Sequence, residues 1–223
     1  SEDGLVYTFT LKPKLFWQDG EPVTADDIIF TIEKIKDPAM KSPKRAGWEG
    51  VAAEKIGDKT VKFTLKKPYA PFLENTTIGI LPSHIWGNMS SDEIASSEMN
   101  AKPTGSGPYE ISGIKRNSVG IISSYELSAN KNFILGRPNI KKIIMKFYPS
   151  EKDLLTAYQK GEIDMINAIT PQELEKIKTS NSVKSLSLPR IFSLFLNQNN
   201  AKVLTKKEIR QALNLSVDRK KII

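Results

Sequence analysis

Cysteine is absent from the 223 residues, which excludes disulfides and thiolate metal sites. Histidine occurs once, at His84. One histidine without cysteine partners makes a poor metal site, so a packing or capping role is the expectation for it. A Ser-His-Asp triad would have to use the same ring, and no nucleophile-elbow sequence accompanies it. Long apolar runs are missing too. Ile28-Ile29-Phe30 and Ile78 to Leu81 are typical, the second interrupted by Gly79, whereas a membrane-spanning helix needs about 20 mostly apolar residues. No cationic, apolar leader opens the chain. Ser1-Glu2-Asp3-Gly4 runs straight into a strand pattern, so the chain is expected to begin inside a fold, and the missing leader says nothing against export.

The net charge of +8 raises the question of an anionic partner. The lysines are spread along the chain, and no arginine-rich run or basic stripe interleaved with aromatics occurs. Nucleic acid is therefore not an expected partner, since that footprint is clustered. With 39% hydrophobic and 26% charged residues the chain reads as a soluble globular protein of one large or two small domains.

Hydropathy patterning gives the elements. Tyr7, Phe9 and Leu11 alternate with Thr8, Thr10 and Lys12, the period of a half-buried strand. Thr24 with Asp27 reads as a capping-box variant, and Ile28, Ile32 and Ile35 follow at helical spacing, predicting a helix over 25–36. Residues 36–50 hold Pro38, Pro43, Gly47 and Gly50 and read as an irregular loop. Val61, Phe63 and Leu65 alternate again after a Gly57-Asp58 turn. Beyond them the pattern predicts a short helix near 71–75, a strand near Ile78, a polar helix over 92–99, and paired strands over 109–115 and 120–127. The texture then shifts to strand, helix, strand, helix. A strand over 140–148 leads to a helix capped by Ser150 and Asp153 and stopped by Gly161, and a short strand is predicted over 163–166. Thr170-Pro171-Gln172-Glu173 starts a further helix bearing Leu174 and Ile177, and a last strand is predicted over 191–196. Asn197 to Asn200 is a polar connector. Thr205 and Glu208 open a helix with Ile209, Ala212 and Leu213, and Asp218 begins another that Ile223 cuts off, so the natural protein is expected to continue.

Two motifs invite sharper readings. Gly105-Ser106-Gly107 looks like part of a phosphate loop, but it lacks a Lys-Ser/Thr ending and Pro108 removes the next backbone donor, so turn chemistry is expected. Glu162 and Asp164 form a close carboxylate pair, yet nothing sets their environments apart as an acid and a base require. No enzymatic activity and no cofactor are expected.

A family resemblance enters at Trp17-Gln18-Asp19-Gly20-Glu21-Pro22-Val23-Thr24-Ala25-Asp26-Asp27, which resembles the signature of family 5 extracellular solute-binding proteins, the peptide/nickel-binding family of ABC importers. Pro103-Thr104-Gly105-Ser106-Gly107-Pro108-Tyr109, Asn132-Phe133 with Gly136 and Pro138, and Gly161-Glu162-Ile163-Asp164 resemble later blocks. Phe195-Leu196-Asn197, Arg210-Gln211-Ala212-Leu213-Asn214 and Asp218-Arg219 complete the order. The resemblance implies a mixed α/β (α+β) fold like type II periplasmic binding proteins, truncated at both ends. Residues 1–137 would be an extra β-rich subdomain of the first lobe, 138–197 an α/β core portion of that lobe, and 198–223 the hinge and start of the second.

It further implies an extracytoplasmic monomer, periplasmic or a cell-surface lipoprotein. Such a protein captures oligopeptides or dipeptides between lobes and delivers them to a membrane permease. A nickel chelate or a sugar is the alternative ligand, and a chaperone-like receptor without small-ligand capture the alternative function. The 43–48 loop corresponds to a region close to ligand in peptide-binding relatives. Arg45 can pair with a ligand carboxylate or stay solvated, and Trp48 can wall the ligand or anchor its loop. Asn197 and Asn199 fall where the chain should cross between lobes, where their amides can bond peptide backbone or cap the strand end.

Overall fold

A computed structural model describes residues 1–167, 169–174, 177, 183, 184, 193–218 and 221. The chain divides into two compact units, Ser1–Ile169 and Thr170–Ile223. In the first unit, β1 (Val6–Thr10), β2 (Ala52–Gly57) and β3 (Thr60–Thr64) form an antiparallel sheet of order β1-β3-β2. Register sets Tyr7 opposite Phe63 and Phe9 opposite Val61, so the alternating residues share one face.

Helix α1 (Ala25–Lys36) covers that face, burying Ala25 and Ile32 with Ile28 and Ile35 packed alongside. Its start follows the capping pattern: the Thr24 N–H donates to Asp27 Oδ2 at 2.8 Å, and Asp26 and Asp27 occupy the first turn, where the helix dipole favours negative charge. The stretch expected to be irregular contains a 3₁₀ turn over Pro38–Met40 and a one-turn helix α2 (Arg45–Trp48). Its hydrophobic anchor is Trp48, 1% exposed, packed edge-on to Phe63 and Phe72 with centroids 5.4 and 5.6 Å away. Phe72 begins α3 (Phe72–Asn75) and also meets Tyr7 at 4.8 Å. Such ring pairs add about 0.5–1.5 kcal/mol each beyond the area they bury, so the core is built around Phe72.

Ile78 does not lie in a strand. The nearby Leu81 N–H donates to Thr31 Oγ1 on α1 at 2.8 Å, so the backbone there bonds a helix side chain rather than a ladder. After α4 (Ser83–Trp86), helix α5 covers Ser91–Ser96 and stops at Ser97, whose hydroxyl accepts from Met99 N–H and starts a 3₁₀ turn. The long polar helix is thus two pieces.

A second antiparallel sheet joins β4 (Tyr109–Arg116), β5 (Ile122–Ala129) and β6 (Lys142–Lys146) in sequence order. It runs across residue 137. Helix α6 (Glu151–Gln159) starts at Ser150, whose Oγ accepts from Asp153 N–H, and Gly161 follows at φ +71°. Residues 163–166 form no strand: Glu162 N–H turns back to Ala157 O at 2.9 Å.

In the second unit, α7 covers Pro171–Leu174 and α8 Lys207–Ser216, with a 3₁₀ turn over Lys202–Thr205 between them. Of the strand expected over 191–196, residues 193–196 are not extended into a ladder, while 191 and 192 lie outside the described residues. So does most of the helix expected from Asp218.

Candidate functional site

Two of the signature blocks, 17–27 and 103–109, meet at one polar knot in the first unit. Asp27 is 2% exposed. Its Oδ1 accepts from Ser83 N–H and Ser83 Oγ, both at 2.7 Å, and its Oδ2 from Thr24 N–H at 2.8 Å and Trp17 Nε1 at 3.2 Å. Burial alone pushes the Asp27 carboxyl up, but hydrogen bonds from Thr24, Ser83 and Trp17 outweigh it and hold the group below its ordinary value. The neighbouring His84 Nε2 lies 2.9 Å from Asp19 Oδ2. Ser83 and His84 therefore each clasp one carboxylate of the first block. His84 thus pairs with a side chain of the first block rather than with a backbone group. Among the described residues no cluster of three or more His, Cys, Asp or Glu could hold a metal ion.

The Gly105 block is tied to the same knot. Gln18 N–H donates to Gly105 O at 2.8 Å, Gly105 N–H donates to Gln18 Oε1 at 3.0 Å, and Gln18 Nε2 donates to Tyr109 O at 2.8 Å. From the other side Asn130 Nδ2 donates to Gly107 O at 3.0 Å. The Gly105 amide that a phosphate would need is already bonded to Gln18. These two blocks are joints between segments, bonded to each other through Gln18 and to Ser83, His84 and Asn130 outside them.

Beside α2 the surface opens into a groove of about 590 Å³, lined among others by Gly47, Gly50, Val51, Lys66, Tyr69 and Phe72. That size suits a small ligand. Two glycines shape it. Gly47 O accepts from Asn75 Nδ2 at 3.0 Å, and a Cβ on Gly47 would meet the same nitrogen at 3.0 Å. Gly50 sits at φ +76° with the Lys66 stem across it, a conformation glycine adopts without strain. The sequence pattern gave Lys66, Lys67 and Tyr69 no role, because a Lys-Lys-Pro-Tyr run after a strand reads as a solvated turn.

Arg45 is exposed at the start of α2, one residue before Ala46 in the groove wall. Asp37 is held below its ordinary value by the Ser91 hydroxyl first, then by the Ala39 amide, with Lys34 and Arg45 as added cations. Of the two roles open to Trp48, the structure shows the loop anchor and corrects the ligand wall: its indole is 1% exposed and packed on Phe63 and Phe72. Asn197 and Asn199 belong to the second unit and are exposed. Asn197 Oδ1 accepts from the Asn199 and Asn200 amides at 3.0 and 3.3 Å, so its side chain caps the turn that follows it.

Comparison with known proteins covers the whole chain. The family model described as bacterial extracellular solute-binding proteins, family 5, middle, matches residues 1–223. The oligopeptide-binding protein AppA of Bacillus subtilis is 30% identical over 100% of this chain and 41% of its own length. Among solved structures, the ABC transporter substrate-binding protein CtaP of Listeria monocytogenes is 33% identical with a TM-score of 0.78, over 100% of this chain and 45% of that one. NikZ of Campylobacter jejuni, in complex with Ni(L-His), is also 33% identical, with a TM-score of 0.65 over 74% of this chain and 32% of the other. The chain thus spans less than half the length of these relatives.

Proposed function

This chain belongs to the family 5 bacterial extracellular solute-binding proteins, and from that premise we propose that it forms part of the substrate-binding component of an ABC importer for oligopeptides or dipeptides. The observation that carries the reading is the match over all 223 residues to a relative named for oligopeptide binding. In this reading the protein works outside the cytoplasm, in the periplasm or as a surface lipoprotein, and delivers its ligand to permease subunits.

Arg45 supplies a planar cation for a ligand carboxylate. The Asn197 and Asn199 amides bond peptide backbone near the crossing between lobes, and hinge closure there presents the loaded form to the membrane. A metal chelate is the second reading, favoured by the likeness to a protein solved with Ni(L-His). His84, already paired with Asp19, leaves such a metal to arrive with its own ligands.

Native mass spectrometry of the protein, expressed with the sequence that flanks these residues in its source and purified without refolding, tests the proposal. Adducts of peptide mass that vanish on denaturation are the expected result. An apo mass that stays unchanged after incubation with a mixed di- to nonapeptide library would overturn it, and a nickel-containing adduct would replace it with the second reading.

A further inference from the structure

The turn between β4 and β5 breaks the usual rule that turn tips are polar. Its sequence is Arg116-Asn117-Ser118-Val119-Gly120-Ile121, and Val119 and Ile121 are 74% and 64% exposed. The tip is held in shape by its own hydrogen bonds. Asn117 Oδ1 accepts from Val119 N–H at 3.1 Å and Ile121 N–H at 2.9 Å. Asn117 N–H donates to Ile121 O at 2.8 Å, Gly120 N–H to Asn117 O at 3.0 Å, and Arg116 Nη1 to Gly120 O at 2.9 Å. Gly120 takes φ +83°, which lets the chain turn this tightly. Two β-branched apolar side chains are thus presented to solvent on a fixed backbone.

The same end of the sheet is cationic. Lys115 and Arg116 precede the tip, and register aligns Ser124 with both Lys115 and Lys146. Lys146 Nζ donates to a backbone carbonyl, Glu162 O at 2.9 Å, and pairs with no carboxylate among the described residues. Phe147, half exposed, stacks edge-on to Tyr125 at 5.8 Å and completes the apolar part of this end. The nearest acid on these strands, Glu126, is paired with Lys142 at 2.7 Å and Lys115 at 3.6 Å. Charge along the chain is divided accordingly: residues 101–150 carry eight Lys and Arg against two Asp and Glu, residues 1–100 twelve against fifteen.

We infer that this hairpin tip is a peripheral contact for an anionic lipid surface. Val119, Ile121 and Phe147 enter the boundary between headgroups and acyl chains, and Lys115, Arg116 and Lys146 bind the headgroup charge. A lipid surface fits better than a folded protein partner. The tip offers a few side chains at the end of a hairpin, where a specific protein interface takes about 20–30 residues a side, whereas a fluid bilayer closes around a small protrusion. The contact is weak and reversible. It orients the protein at a membrane without anchoring it, and no described helix is long and apolar enough to cross one.

Flotation of the chain with vesicles of 30% dioleoylphosphatidylglycerol in dioleoylphosphatidylcholine, against vesicles of the zwitterionic lipid alone, is the test. Binding is expected on the anionic vesicles and is expected to fall as salt rises. Val119→Ser/Ile121→Ser should weaken it about tenfold, and Lys115→Gln/Arg116→Gln by a similar factor, at roughly fivefold per cation less the share Lys115 spends on Glu126. Lys12→Gln/Lys14→Gln, two exposed cations near β1, should leave it unchanged. Circular dichroism checks that the surface variants stay folded. Binding that is equal on both vesicles, absent from both, or untouched by the tip variants overturns the inference. So does a tip variant that lowers solute uptake in cells while vesicle binding holds, since a membrane protein would then be the partner.

Discussion

Among the described residues are two three-stranded antiparallel sheets that read alike in sequence and differ in what lies behind them. In the first, Val61 and Phe63 are 0% and 3% exposed, because α1 and the Trp48–Phe72 cluster form a second layer. In the second, only Ser124 and Ala129 of β4, β5 and β6 are buried, and Met145 and Phe147 stay about half exposed. Strand alternation says which side chains share a face. How deeply that face is buried depends on the elements set against it.

The sharpest way to break this comparison is Phe72→Ala. Phe72 is fully buried and touches Tyr7, Trp48 and Phe63, so the loss is expected at about 3–5 kcal/mol, the range for deleting a core aromatic ring. Urea unfolding followed by tryptophan fluorescence reports it directly, since Trp17, Trp48 and Trp86 are all buried in the first hundred residues. A loss under about 1 kcal/mol would mean that the first sheet is no better supported than the second.

Asp27 tests the polar half of the same region. Asp27→Asn keeps the shape but turns an acceptor into a donor facing Thr24, Ser83 or Trp17 N–H groups, at a cost of about 2–3 kcal/mol at pH 7. The folded carboxyl is held below its ordinary value. Its contribution is therefore fully present above the unfolded pKa, near 4, and is lost as pH falls through the folded pKa. The gap in urea midpoint between wild type and variant should narrow steadily on acidification below about pH 4. A gap that is constant with pH would show that Asp27 acts by packing alone.

Much of this was legible in the sequence because its signals are local. Thr24 with Asp27 fixed the start of α1, Ser150 with Asp153 that of α6, and the alternation at Tyr7 and Val61 marked two strands that do pair. The signature blocks supplied the family, whereas the bonds of Gly105 to Gln18 were not visible in a motif read as turn chemistry. What failed depended on distant partners. Trp48 was left open between a ligand wall and an anchor for its loop, because that loop, rich in Pro and Gly, gave no sign of Phe63 and Phe72 across the core. Ile78 and residues 163–166 were read as strands from short apolar runs, and a run of four says nothing about a ladder partner. The knot itself escaped notice, since Asp27 and Ser83 lie 56 residues apart and no spacing rule joins them.

The smallest expected effect probes the second sheet on its own terms. Met145 pairs with Tyr125 across β5 and β6 but is 47% exposed, so water already reaches about half of what Met145→Ser would remove. Burying a whole Met side chain is worth about 1.5–3 kcal/mol, and the half that is buried here sets the cost at about 1 kcal/mol. Because the three tryptophans lie in the other half of the unit, fluorescence would register this loss only if both sheets unfold together. Far-UV circular dichroism sees both. A shift of equal size by the two probes would make the first unit one cooperative body, joined through Gln18 and Asn130. A shift by circular dichroism alone would show that the second sheet opens first, as expected of the sheet with less behind it.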